Sequence, residues 1–256
     1  MMIKEIVLSA LAAIFTNQDT AITHQLLSET YIQHNPSVPT GRAPIIDFLP
    51  ALKKANISVK TYRIISEGDF VVTHNLYDNA ELIGGDKLIG FDVFRVENGK
   101  IVEHWDNLSV LAPLNPSGRS QFDGPTDVID HEKTDENKAL VVEFVNTILL
   151  EGKFDRLAEF FKGDEYIQHN TQIGDGLSGL GTALEVLKKK GISMTYKKVH
   201  KVIAEGNFVF TMSEGEFGGK PTAYFDLFRV ENGRIAEHWD VISEIPAKMA
   251  HENGKF

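Results

Sequence analysis

Residues 91–106 read FDVFRVENGKIVEHWD, and residues 225–240 read FDLFRVENGRIAEHWD. Three of the sixteen positions differ, each mildly: Val93 against Leu227, Lys100 against Arg234, and Val102 against Ala236. Working outward, Tyr31-Ile32-Gln33-His34-Asn35 returns unchanged as Tyr166-Ile167-Gln168-His169-Asn170. Between these blocks, EGDFV at 67–71 matches EGNFV at 205–209. The offsets are 135, 138 and 134 residues, so small length changes fall between the matching blocks, as they do in loops. The chain is one fold written twice. A period this long is not a solenoid unit, and each copy is large enough to bury a core of its own.

These blocks predict a first domain over 1–112 and a second over 135–256. The stretch from 113 to 134, rich in Pro, Gly, Ser and Asp and without apolar periodicity, reads as a surface linker. Hydrophobic residues make up 42% and charged residues 24%, which is ordinary for a soluble globular chain. A formal net charge of −10 with no Lys/Arg run argues against nucleic acid and anionic membrane surfaces as partners. There is no cysteine, hence no disulfide framework, thiol nucleophile or thiolate metal site, which fits a cytoplasmic setting. The apolar run at 3–15 has the look of a signal-peptide core. Glu5 is misplaced for that, and residues 138–150 carry an equivalent segment in mid-chain. Ile3, Ile6, Val7, Ala10, Leu11 and Ile14 lie at helical spacing, so this run is predicted as the first helix of the domain.

Each copy then predicts a short second helix (20–28; 154–161), the Tyr-Ile-Gln-His-Asn block and a third helix (43–55; 182–190). Pro44 suits a first helical turn, whereas Pro50 should kink or end the helix. Four strands are expected next, at 58–66, 69–78, 87–97 and 100–108, with Asn98-Gly99 and Asn232-Gly233 as hairpin turns. Helices first and antiparallel strands afterwards make the class α+β.

With YIQHN early and a closing DxFRVENGKIxEHWD hairpin, both copies resemble the SnoaL-like polyketide-cyclase family of the NTF2-like superfamily. That resemblance implies tandem cone-shaped α+β barrels, each with a curved antiparallel sheet over N-terminal helices and an enclosed pocket. It also implies an intramolecular pseudo-dimer, open to further homo-oligomerisation. The fold hosts cyclases, isomerases, dehydratases, hydrolases and binding proteins, so it does not choose the reaction.

Candidate chemistry begins in the last strand. Alternation sets Val102, His104 and Asp106 on one face and Ile101, Glu103 and Trp105 on the other; His238 and Asp240 repeat the pair. A partly desolvated carboxylate there would have a raised pKa and serve as a general base. A plainer role is a strand-ending Asp and a packed His. Asp92 and Asp226 interrupt apolar strands, where an acid is costly unless paired or functional. A two-residue turn sets Asp92 opposite Trp105 and Glu97 opposite Lys100. A bulged three-residue turn sets Asp92 opposite His104 and Arg95 beside Glu103. In the family the YIQHN segment borders the pocket, so His34 and His169 are candidates to steady an enolate. Asn35 and Asn170 would contact substrate or cap a turn. His74, matched by Met212, would belong to the first copy alone. Trp105 and Trp239 complete the expected substrate contacts.

Other chemistries find little support. There is no phosphate-binding Gly loop and no G-x-S-x-G elbow. His34, His104 and Asp106 would make a two-His-one-carboxylate metal set, but no spacing demands one, and no cofactor is expected. An imine-forming aldolase needs a desolvated lysine, and the strand lysines sit near ends or turns. The expectation is a cofactor-independent enzyme in which Asp106 or Asp240 removes a proton beside a carbonyl of a hydrophobic small molecule and His34 or His104 steadies the enolate. The alternatives are a pocket that only binds such a ligand, and a structural pseudo-dimer.

Overall fold

The computed structural model describes residues 2–256. The chain forms two units, one running up to Leu111 and including Pro246–Phe256, the other Ala112–Ile245. In the first unit α1 (Ile3–Leu11) runs into a π-helical turn (Ala12–Thr16) and is followed by α2 (Thr20–Leu26), β1 (Leu27–Gln33) and α3 (Arg42–Ala55). Strands β2 (Ser58–Glu67), β3 (Phe70–Asp78), β4 (Lys87–Glu97) and β5 (Lys100–Val110) complete it. The sheet order is β1-β5-β4-β3-β2, with β1 parallel to β5 and the remaining pairs antiparallel.

The second unit repeats the plan with α4 (Thr134–Phe144), β6 (Ile167–Gln168), α5 (Gly176–Lys189), β7 (Met194–Glu205), β8 (Phe208–Phe217), β9 (Lys220–Glu231) and β10 (Arg234–Glu244). Its order is β6-β10-β9-β8-β7. The helix expected at 154–161 is a 3-10 turn, Phe154–Glu159, and the third helix starts earlier than the predicted 182. The YIQHN block proves to be an edge strand, which its short apolar content had hidden. Its partner is β5, about seventy residues away, and only that pairing makes it a strand.

The helical stripe foreseen at the N-terminus buries Ile6, Val7, Ala10 and Leu11 against Val71, Phe94, Val96 and Ile101 of the sheet. In the second unit Val141, Phe144, Val145 and Ile148 cover Val209, Phe228, Val230 and Ile235. Each large side chain so buried contributes roughly 2 kcal/mol, more than the intrinsic helix preference of these short segments. The same balance explains Pro50. It sits inside α3 without ending it, because Leu49 and Leu52 are fully buried on either side.

The closing hairpin settles the register. Asn98 and Gly99 both have positive φ (51° and 76°), the two-residue turn an Asn-Gly pair favours. Glu97 faces Lys100 and Val96 faces Ile101, then the register shifts and Arg95 faces Glu103. Val102 is the extra residue of a bulge. The two-residue turn holds at the tip, the bulge brings Arg95 opposite Glu103, and Asp92 lies opposite Asp106, where neither predicted register put it. The bulge also reverses the alternation before it, so Ile101 joins the core beside Phe94 and Val96 instead of sharing the face of Trp105. The second hairpin does the same, with Asp226 opposite Asp240.

The stretch read as a surface linker is folded onto the second unit. Asn115 donates to the carbonyl oxygens of Gln168 and Ile173, Arg119 forks onto Asp175, and Trp239 Nε1 donates to Asp123 O. Residues 246–256, assigned from sequence to the second copy, pack instead on the first unit: His34 Nδ1 meets Gly254 O and Asn253 donates to Gln33 O. These hydrogen bonds tie an apolar-poor segment down, and its composition does not reveal them.

Candidate active site

Along YIQHN, alternation sends Gln33 to the helix-facing side with His104 and sends His34 to the opposite side, over Trp105. The buried polar cluster on the helix-facing side of the first unit is built from Asp92, His104 and Asp106. His104 Nε2 lies 3.0 Å from Asp92 Oδ1, and Nδ1 lies 2.9 Å from Gln33 Oε1. Gln33 Oε1 also accepts from the backbone N–H of His34 and Asn35, which orients the amide. The other Asp92 oxygen accepts from Tyr77 Oη (2.8 Å) and Asn75 Nδ2 (2.7 Å). Asn35 Nδ2 donates to Asp106 Oδ2 at 2.5 Å, while Asn35 Oδ1 accepts from Ser37 N. The turn-capping role weighed for Asn35 is filled by its oxygen, while its amide nitrogen holds Asp106.

The second unit rebuilds the arrangement. His238 lies 3.1 Å from both Asp226 Oδ1 and Gln168 Oε1, and Asn170 donates to Asp240 Oδ2 at 2.6 Å. Tyr196 Oη reaches Asp226 at 3.2 Å. Burial pushes the Asp240 carboxyl above the usual carboxylate range. Burial alone would depress His238, but the hydrogen bond to Asp226 and the charges of Asp240 and Asp226 outweigh it and hold His238 above its ordinary value. An imidazole hydrogen-bonded to one carboxylate and close to a second whose own value is raised is a set of groups chemically able to exchange protons.

Several expected contacts stand elsewhere. His34 is stacked on Trp105 at 4.7 Å with Nε2 on Glu103 Oε1, and His169 is stacked on Trp239 at 4.7 Å with Nε2 on Glu237 Oε1. Because successive strand side chains alternate, both His–Trp pairs lie on the sheet face opposite Asp106 and Asp240. Neither His can steady an enolate made there, and neither Trp can contact it. Glu103 is held below the usual range: burial raises it, but the hydrogen bonds from His34 and Arg95 win. His74 also points away from the cluster, bonded to Arg63 and stacked on Phe91. The supposed two-His metal set is therefore not assembled. Asp92, His104 and Asp106 do present ligand atoms within 4.8 Å of one another, as do Asp226, His238 and Asp240. Within each set only one pair is hydrogen-bonded, His104 to Asp92 and His238 to Asp226, while Asp106 and Asp240 are held by Asn35 and Asn170.

Sequence reasoning missed Gln33 and Gln168, although alternation within the repeated block points to them. It also missed Tyr77, Tyr196 and Lys255. Lys255 is buried, with Nζ 2.5 Å from Asp106 O and 3.6 Å from Asp106 Oδ1. Burial pulls it below the ordinary lysine value, against the opposing pull of Asp106. A surface groove of about 390 Å³ in the second unit, lined by Lys162, Arg229, Arg234 and Ile235 among others, lies at the turn end of β9 and β10 beside β6 and does not include the carboxylate cluster.

Residues 8–104 and 141–238 each match the SnoaL-like domain family. No curated protein matches the chain. Similar solved structures include an inferred polyketide cyclase from Bacillus cereus (18% identity, 42% of this chain and 74% of that one, TM-score 0.37). Another is IdmH, an inferred polyketide cyclase from Streptomyces antibioticus (18%, 43% and 93%, TM-score 0.37). A third is an NTF2-like protein of unknown function from Cytophaga hutchinsonii (14%, 43% and 91%, TM-score 0.36).

Proposed function

The chain belongs to the SnoaL-like domain family, which it carries twice, and from that premise we propose that it is an acid–base enzyme acting next to a carbonyl of a small molecule. The observation that carries this reading is the partly buried carboxylate of Asp240, raised by desolvation and braced by Asn170 beside the buried His238–Asp226 pair. An ordinary carboxylate is too weak a base to take a proton from carbon near neutrality. Desolvation strengthens it, and a neighbouring amide keeps it aimed.

In this reading the Asp240 carboxylate, or Asp106 in the first unit, removes a proton from the carbon beside the carbonyl. The electron pair moves to the carbonyl oxygen, and the same carboxyl later returns the proton. Aldol-type cyclisation, isomerisation and dehydration all begin with that step. The imidazoles of His104 and His238 have both nitrogens engaged, so they act as positioning residues, holding Asp92 and Asp226 and shaping the field around the base. The D106N/D240N double variant should fold, since Asn keeps one oxygen for the amide of Asn35 or Asn170, and should lose turnover by at least a hundredfold. Turnover kept within a few-fold would instead favour a pocket that binds without reacting. No helix among the described residues is long and apolar enough to cross a membrane.

A further inference from the structure

Proton abstraction beside a carbonyl needs a base and also a donor for the oxygen that gains charge. The donors around the two clusters differ. In the first unit they are committed: Asn75 Nδ2 serves Thr73 Oγ1 and Asp92, Thr61 Oγ1 serves Asn75 Oδ1, and Tyr77 Oη serves Asp92. Corresponding to Thr73 and Asn75, the second unit has Thr211 and Ser213, both on the helix-facing side of β8. Thr211 lies opposite Asp226, which lies opposite Asp240. Val199, not a threonine, faces Ser213 across the strand pair. Thr211 Oγ1 and Ser213 Oγ are fully buried and have no hydrogen-bond partner among the described residues. Buried hydroxyls without partners are costly, and a ligand oxygen would relieve that cost.

The carboxylates differ too. In the first unit the residue after Gly254 is Lys255, whose Nζ stands against Asp106. In the second unit the residue after Ser120, whose carbonyl meets His169 as that of Gly254 meets His34, is Gln121. Its amide oxygen turns instead to Ala112 N. An ammonium beside a carboxylate favours the charged form and makes it a poorer base, and no ammonium stands beside Asp240 in that place.

Resting on the acid–base reading above, we infer that the second unit is the working site, with the hydroxyls of Thr211 and Ser213 receiving the carbonyl oxygen of a ketone-type substrate while Asp240 removes the neighbouring proton. The atoms balance within one turnover: the C–H bond breaks to Asp240, the pair rests on an enolate oxygen bonded to the two hydroxyls, and Asp240 re-protonates the carbon.

The test is α-proton exchange of cyclohexanone in D2O by the full chain, followed by proton NMR. The expected result is that D240N lowers exchange at least tenfold and costs several times more than D106N. T211V and S213A should each lower kcat/KM three- to tenfold while Tm holds or rises, since an unpartnered hydroxyl is removed. If these hydroxyls were merely structural, Tm would fall and the rate would hold, which overturns the inference. So does D106N costing as much as D240N. If the wild type gives no exchange above buffer, or D106N/D240N keeps it, the acid–base reading itself fails and this assignment falls with it.

Discussion

Around its buried carboxylate each unit places a phenol, but from a different strand. In the first, Tyr77 on β3 reaches Asp92, and the residue facing it on β2 is Val59. In the second, the position of Tyr77 is Gly215, and Tyr196 on β7, facing that glycine, reaches Asp226 instead. A second exchange accompanies the first: Gly90 on β4 faces Asn75, whereas Tyr224 on β9 faces Ser213 and stacks on Tyr196 at 4.2 Å. The glycine has moved from one strand to another with the ring. The two copies thus keep a contact, phenol to carboxylate, without keeping the residue that makes it. A buried carboxylate needs donors wherever they come from, since leaving it short costs more than rearranging its neighbours.

The sharpest way to break this comparison is at the glycines. A Cβ on Gly215 would fall 1.8 Å from Thr195 O, and one on Gly90 would fall 2.2 Å from Asn107 O. Both G215A and G90A should therefore cost on the order of 4 kcal/mol, seen as a lowered denaturation midpoint. A loss under 1 kcal/mol would show that the strands part easily and that glycine is not required there. Next come the phenols. Y77F and Y196F should each cost about 2 kcal/mol, the worth of a hydrogen bond to a charged acceptor, and unequal losses would mean that one phenol is incidental.

Within the helices, P50A should stabilise the first unit by up to about 3 kcal/mol, because α3 already runs through that position. The second unit's α5 has Glu185 in the corresponding place. An unchanged melting temperature would show that packing around Leu49 and Leu52 had already absorbed the proline.

The smallest effect is electrostatic. Asp240 is raised in the folded state, so the folded chain holds that proton more tightly than the unfolded one. The associated stability is present below the ordinary value of 3.8 and is lost as pH rises through the folded value. His238, also raised, loses its own contribution as pH climbs through its folded value. D240N removes the Asp240 penalty, so the variant should gain on the wild type in thermal melts at pH 8 and lose that advantage near pH 4. A gain independent of pH would remove burial of the charged carboxylate as its cause.

Much of this was legible in the chain. The doubled FRVEN-G-EHWD hairpin and the YIQHN block carried the repeat, the α+β class and the identities of Asp92, His104, Asp106 and their copies. These follow from local regularities: a helical stripe, strand alternation and an Asn-Gly turn act over a few residues, and local sterics write them directly into sequence. What the chain alone left undecided depended on a single extra residue or on distant partners. The bulge at Val102 chose the face of Asp92 and Ile101, and a one-residue shift is invisible in composition while reversing every side chain before it. His34 went to the far face, over Trp105, because β1 joins β5 with Gln33 beside His104. Lys255 reached Asp106 across 149 residues. Tyr77 and Tyr196 matched in role without matching in position. Side-chain proximity between such distant segments arises only when strands pair and tails dock. For that reason the sequence determined which groups could do chemistry here, and the tertiary structure decided which of them meet.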